Sequence, residues 1–246
     1  MKVLGIIPAR YGSTRFPGKP LIEIQGKSMI QRVYERASKS SALSKVVVAT
    51  DDERIYKHVE QFGHVVMTSS EHPSGTDRCL EAYKNLGEDY DVVINIQGDE
   101  PLLDPDQLDM LASCFEAADC QIATLVTTFK SEELLFDSSK VKVIRDQQGN
   151  ALYFSRQCIP FQQGREKDWM SSYNYLQHVG IYAFRSEVLA EVAKLPQSSL
   201  EKAESLEQLR WLDNGYSIRV ELCDHNGISV DVPEDLNRVI DLLNKA

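Results

Sequence analysis

Val3-Leu4-Gly5-Ile6-Ile7 runs directly into Pro8-Ala9-Arg10-Tyr11-Gly12-Ser13-Thr14-Arg15-Phe16-Pro17-Gly18-Lys19-Pro20. The first five residues form an apolar run of strand length, and the rest is a loop rich in glycine, proline and fixed positive charge. Gly12 and Gly18 let backbone N–H groups approach an anion closely, Pro8, Pro17 and Pro20 stiffen the path, and Arg10, Arg15 and Lys19 set three cations against polyphosphate charge. A loop between a buried strand and a helix is ordinarily shorter and less charged, so phosphate binding is favoured over a solvated basic loop. Two common phosphate loops are excluded by position. Gly26-Lys27-Ser28 ends like a Walker A loop, but Leu21 stands where its first glycine belongs; Gly5 and Gly12 lie too far apart for a dinucleotide fingerprint.

Outward from that loop, apolar runs recur at Val46–Ala49, Val65–Met67, Val92–Ile96 and Ile122–Thr127, separated by helical spacing over Ser28–Ser38, Asp52–Gln61, Thr76–Leu86 and Pro105–Ala117. Ser28, Asp52 and Asp104 lie at or beside N-caps. The alternation predicts an α/β fold, a mostly parallel sheet with helices on both faces. After about Lys130 the pattern changes: Val141–Arg145, a Gly149-Asn150 turn, Ala151–Ser155 and Val179–Phe184 predict a smaller mixed β lobe. Arg185–Lys194, Leu206–Leu212 and Pro233–Asn244 read as helices, the last with Pro233 in its first turn, and Ser217–Leu222 as a strand. The expectation is a single domain over 1–246, with 130–215 containing the lobe.

The 246 residues carry a formal net charge of −10, which disfavours nucleic acid or an anionic membrane as partner and makes the basic loop a local pocket for a small polyanion. The apolar run before Pro8 and Arg10 is too short for a signal-peptide core and no window reaches membrane-spanning length, so a cytoplasmic protein is expected. The five cysteines, Cys79, Cys114, Cys120, Cys158 and Cys223, contain no Cys-x-x-Cys pair and are expected to be reduced and mostly buried.

The chemistry concentrates at strand ends. Asp91–Ile96 ends abruptly in Gln97-Gly98-Asp99-Glu100-Pro101, where an α/β sheet binds ligands; Gly98 permits close approach and Asp99 offers a hard oxygen ligand for Mg²⁺. Asp231, in Val230-Asp231-Val232-Pro233-Glu234-Asp235, is the second acidic candidate, while Glu234 and Asp235 suit the positive end of the last helix. Ser74-Gly75-Thr76-Asp77-Arg78 opens a helix and suits a base or ribose, although an N-cap with a surface arginine accounts for it almost as well. Arg156 follows Tyr153-Phe154-Ser155 and suits paired hydrogen bonds to a carboxylate. His178 and Tyr182 lie at alternate positions facing the same way. Glu207 and Gln208 suit sugar hydroxyls or, equally, a solvated helix face. His58, His64, His72 and His225 show no metal-ligand spacing and receive no role.

Taken together, Ile7–Pro20, Ser74–Arg78, Gln97–Pro101, Ala151–Arg156, His178–Tyr182, Leu206–Arg210 and Val230–Leu236 closely resemble the 3-deoxy-manno-octulosonate (Kdo) cytidylyltransferases, in order and over nearly the whole chain. The resemblance implies a Rossmann-like nucleotidyltransferase fold and a reaction of CTP with Kdo, with Mg²⁺, giving CMP-Kdo and pyrophosphate for lipopolysaccharide synthesis. By that likeness Arg10, Ser13, Arg15 and Lys19 hold the triphosphate, and Ser74, Arg78 and Gln97 surround the nucleoside or the sugar. Asp99 and Asp231 carry the metal; with Lys19 and Arg10 they form the catalytic set. Gln97, Arg156, His178, Tyr182, Glu207 and Gln208 form the Kdo pocket, and a homodimer through the middle-to-late region is implied. Phe161-Gln162-Gln163-Gly164-Arg165 is less charged and aromatic than in typical members, which admits 8-amino-Kdo as the substrate. The alternatives are another acid sugar, such as a sialic acid, or a non-catalytic nucleotide-binding module.

Overall fold

The computed structural model describes residues 1–12, 16–164, 168–224 and 227–244. The chain divides into two compact units, Met1–Ser113 with Gly227–Ala246, and Cys114–Asn226.

In the first unit β1 (Val3–Ala9) leads into the charged loop and a single 3-10 turn at Lys19–Leu21. A hairpin not anticipated from the sequence follows: β2 (Glu23–Ile24) and β3 (Lys27–Ser28) turn through Gln25 and Gly26, both at positive φ. That is the two-residue geometry whose twist matches paired strands. Ser28 then caps α1 (Met29–Ala37), accepting from the Gln31 N–H. β4 (Lys45–Thr50), α2 (Glu53–Val59), β5 (His64–Met67), α3 (Gly75–Leu86), β6 (Val92–Asn95) and α4 (Pro105–Ser113) complete the alternation. β6, β1, β4 and β5 pair in that order, all parallel. β1, β4 and β6 are almost wholly buried, the signature of strands covered on both faces, whereas the outer strand β5 is partly exposed. The predicted helix over Pro105–Ala117 gives way after Ser113 to a 3-10 turn, Cys114–Glu116.

The second unit holds β7 (Ile122–Thr128), α5 (Glu132–Phe136), β8 (Lys142–Arg145), β9 (Ala151–Ser155), β10 (Leu176–Arg185), α6 (Ser186–Val192), α7 (Ser199–Glu204), α8 (Gln208–Asp213) and β11 (Ile218–Leu222). β7 pairs with β10 antiparallel and with β11 parallel, and β8 pairs with β9 and β10 antiparallel, so the expected mixed lobe forms. β10 starts three residues earlier than predicted, which brings His178 inside the strand. α7 was missed, although Ser198 and Glu201 form a reciprocal capping box readable in the sequence.

The last helix, α9, spans Asp235–Leu243 and belongs to the first unit. Pro233 is not in its first turn as predicted. It lies in the preceding turn, where its carbonyl accepts from the Leu236 N–H. Val230 and Val239 pack with Phe16, Ile24 and Met29 in a small core that ties this return segment to the region around the basic loop.

Candidate active site

In the first unit the carboxyl end of β1 separates two clefts that share Pro8, Ala9 and Arg10. One, of about 270 Å³, is completed by Lys19, Pro20, Gln97, Gly98, Asp99 and Asp231. The other, of about 180 Å³, is completed by His72, Pro73, Ser74, Gly75 and Arg78. The Arg10 side chain has no partner among the described residues and faces both, a cation available to an anionic ligand. Ser13 and Arg15 lie outside the described residues.

The first cleft depends on glycine at two points. A Cβ at Gly98 would stand 2.9 Å from the Pro8 carbonyl oxygen, so only glycine lets β1 and the end of β6 come this close. Gly18, at φ 72°, starts the turn that carries Lys19. Lys19 Nζ donates to Asp99 Oδ2 at 2.8 Å and to the Val230 carbonyl at 2.7 Å, and lies 3.9 Å from Asp231 Oδ1. Asp99 and Asp231, far apart in sequence, thus flank one cation. Their segments are also joined by the Val230 N–H donating to the Asp99 carbonyl. Asp235, expected to serve the dipole of α9, accepts from the N–H groups of Asp231 and Val232 and so positions Asp231. Glu100 is pushed up to about 7, first by burial and then by the Asp99 charge. This corner holds more carboxylate than Lys19 neutralises.

Those features fit a divalent ion. Two hard oxygen donors converge on a point where the Lys19 ammonium stands in for a cation, and Mg²⁺ ordinarily takes only one or two carboxylates, with phosphates and water completing its shell. Among the described residues no group of three or more His, Cys, Asp or Glu side chains gathers at one point.

In the second cleft Ser74 and Arg78 are already committed. Ser74 Oγ caps α3, accepting from the Asp77 N–H at 3.2 Å and donating to Asp77 Oδ2. Arg78 is buried, donating to Thr68 Oγ1 at 2.6 Å and pairing with Asp51 at 3.3 Å. Both shape the wall. His72, given no role by spacing, lines the same cleft and pairs with Glu81.

In the second unit the acid-sugar candidates divide. The His178 ring lies 5.2 Å from that of Tyr182, and Tyr182 packs edge-on to Trp211 at 5.0 Å. Four residues of regular strand would span about 13 Å. The contact exists because the pairing of β10 with β7 slips between Val179 and Tyr182. Tyr182 Oη, Gln208 Nε2 and Trp211 Nε1 are buried with no hydrogen-bond partner, an arrangement native proteins tolerate where a ligand completes it. Burial, with the Glu207 charge second, pushes the Tyr182 phenol well above its ordinary range, so it stays a donor. Gln208 is buried, not on a solvated face; Glu207 precedes α8 and lies 3.8 Å from Arg210. Arg156 is engaged elsewhere. Its Nε donates to the Glu204 carbonyl, and its terminal nitrogens to the carbonyls of Ser138 and Ser205, so it ties β9 to the end of α7.

A family model described as cytidylyltransferase matches residues 4–219. The 3-deoxy-manno-octulosonate cytidylyltransferase of Parabacteroides distasonis is 52% identical over 99% of this chain and 98% of its own. The chain belongs to the 3-deoxy-manno-octulosonate cytidylyltransferase family. Its counterpart in Bacteroides thetaiotaomicron is 54% identical, over 99% of this chain and 98% of that protein. A solved CMP:2-keto-3-deoxy-manno-octonic acid synthetase complexed with CTP superposes with a TM-score of 0.93 at 42% identity, covering 100% of this chain and 99% of its own. A 4-diphosphocytidyl-2C-methyl-D-erythritol synthase from Anaerococcus prevotii shares the fold alone, at 18% identity and a TM-score of 0.62 over 99% of this chain and 96% of its own.

In this cytidylyltransferase Asp235, read in the sequence only as a partner of the helix dipole, positions Asp231, and Trp211 was not singled out because its contact with Tyr182 depends on which helix meets β10.

Proposed function

We propose that this member of the family transfers CMP from CTP to Kdo in the cytoplasm, releasing pyrophosphate, with the work divided among the residues as follows. The observation that carries the assignment is the Lys19 ammonium held between Asp99 and Asp231 in a cleft that Arg10 and Gln97 also line. Arg10 and Lys19 bind the triphosphate, and Gln97 orients its nucleoside end or the incoming sugar. The second cleft takes the nucleoside, with Ser74 and Arg78 acting by position. His178, Tyr182, Gln208 and Glu207 hold the sugar, the buried donors facing its oxygens.

The anomeric oxygen forms its bond to the α-phosphorus as the bond from that phosphorus to the pyrophosphate oxygen breaks, and the hydroxyl proton passes to solvent water. Arg10 and Lys19 counter the charge that accumulates on the leaving pyrophosphate. Mg²⁺ belongs to the same proposal: Asp99 and Asp231 would hold it, and it would stabilise charge on the phosphate oxygens as a Lewis acid. A homodimer is also proposed, supported by Phe136, Leu152 and Phe161 of the second unit, which are 53%, 60% and 74% exposed.

The test offers Kdo, 8-amino-Kdo and a sialic acid separately with CTP and Mg²⁺ and measures pyrophosphate. Release with Kdo supports the assignment. Preference for another sugar keeps the chemistry and moves the sugar assignment, and CTP binding without turnover on any sugar refutes the enzyme.

A further inference from the structure

The slip in β10 creates a buried hydrogen-bond relay. Val179 stands opposite Leu125 and Tyr182 opposite Thr124, so Gly180 and Ile181 are extra on β10. Thr124 is fully buried on β7, and its Oγ1 lies 2.7 Å from the Ile181 carbonyl oxygen and 3.3 Å from that of Val179. The same Oγ1 lies 3.0 Å from His178 Nε2.

A hydroxyl has one proton to give, and a carbonyl only accepts. At 2.7 Å the two oxygens of Thr124 and Ile181 repel unless that proton lies between them. The hydroxyl proton is therefore committed to the bulge carbonyls, and the third contact forms only if Nε2 supplies its own hydrogen. We propose that Thr124 is a positioning residue that fixes His178 as the Nε2–H tautomer and so presents Nδ1 as an acceptor for a hydroxyl of the acid sugar. The inference rests on the reading above that His178 belongs to the sugar site.

Three observations agree with it. Nδ1 has no hydrogen-bond partner among the described residues. The rings of Phe154 and Tyr182, each 5.2 Å away, hold the imidazole on two sides. His178 as a whole is half-buried, and its ring lies deep enough that burial pushes its pKa down to about 3, so it stays neutral. A neutral ring presenting a lone pair does not pair with the sugar carboxylate. It recognises a hydroxyl, and the carboxylate falls to donors such as Tyr182 Oη and Gln208 Nε2.

The full-length protein labelled with ¹⁵N-histidine tests this directly. Long-range proton–nitrogen correlation on the substrate-free protein is expected to show His178 protonated at Nε2 and bare at Nδ1; the opposite tautomer overturns the inference. Thr124→Val is expected to lose that signature and to raise KM for Kdo about tenfold while leaving KM for CTP within about twofold. Thr124→Ser, which keeps the hydroxyl, is expected to restore both. An unchanged KM for Kdo alongside a lost signature overturns the role. His178→Gln separates the two layers: if it leaves KM for Kdo unchanged, the sugar-site reading fails, whereas the wild-type spectrum still decides the tautomer. Should Thr124→Val not fold, the wild-type spectrum and the serine variant carry the test.

Discussion

Gly98 shows how one missing side chain shapes the first cleft. Its Cβ would meet the backbone oxygen of Pro8, which has no flexible end to move aside, so Gly98→Ala is expected to cost about 1–3 kcal/mol and to weaken CTP binding. Thermal unfolding and CTP titration of the variant check this; wild-type values for both contradict it. His178 makes a second residue-scale prediction, about pH. In the unfolded chain it takes up a proton near 6.5, in the folded protein only near 3, so across that window the unfolded state binds more protons. Stability therefore falls as pH drops below 6.5, by up to about 1.4 kcal/mol per unit from this group, and is insensitive to it above 6.5. The groups around the ring are Thr124, Phe154 and the phenol of Tyr182, with the Glu207 charge next to Tyr182. Denaturant unfolding of wild type and His178→Gln between pH 5 and 8 should show the slope flattened in the variant.

At the scale of elements, α7 and α8 present Gln208 through one buried and one part-buried anchor. Arg210 binds Glu201 through two hydrogen bonds at 2.8 and 2.7 Å, and the Glu204 carboxylate accepts from Ser155 Oγ and the Arg156 N–H at the end of β9. Between them Ser205 turns the chain at positive φ into Leu206–Gln208. Glu204→Ala removes the second anchor and leaves donors unpaired, so a loss of about 1–3 kcal/mol is expected, together with a raised KM for Kdo and an unchanged KM for CTP. Denaturation midpoints and steady-state kinetics check it, and a KM change confined to CTP contradicts it. These anchors also explain what the sequence could express. Strand ends, caps and the basic loop are local patterns, and Ser28, Asp52 and Ser74 cap the helices that follow them. The β10 slip is not local. It depends on β7 as partner, so the meeting of His178, Tyr182 and Thr124 leaves no periodic trace.

At the scale of the molecule, two compact units carry the two halves of the proposed assignment: the first holds the proposed phosphate corner, the second His178, Tyr182, Glu207 and Gln208, proposed for the acid sugar. The net charge of −10 makes the Arg10 and Lys19 corner a local attraction for a polyanion within an acidic protein. The convergence of Asp99 and Asp231 required the chain to return after the entire second unit, which spacing alone does not reveal. All five cysteines are free, with Cys79, Cys120 and Cys223 buried, and burial pushes Cys114 and Cys120 up to about 12 and 11, leaving these two as unreactive thiols. Among the described residues no helix is long and apolar enough to cross a membrane. The proposed chemistry depends on Lys19, Asp99 and Asp231, and the most direct measurement compares wild type with Asp231→Asn at saturating CTP, Kdo and Mg²⁺, recording pyrophosphate release and CTP affinity on the same samples. Turnover lowered about 10²-fold or more, with CTP affinity within about threefold, is the predicted result. Equal turnover in the two proteins would contradict it.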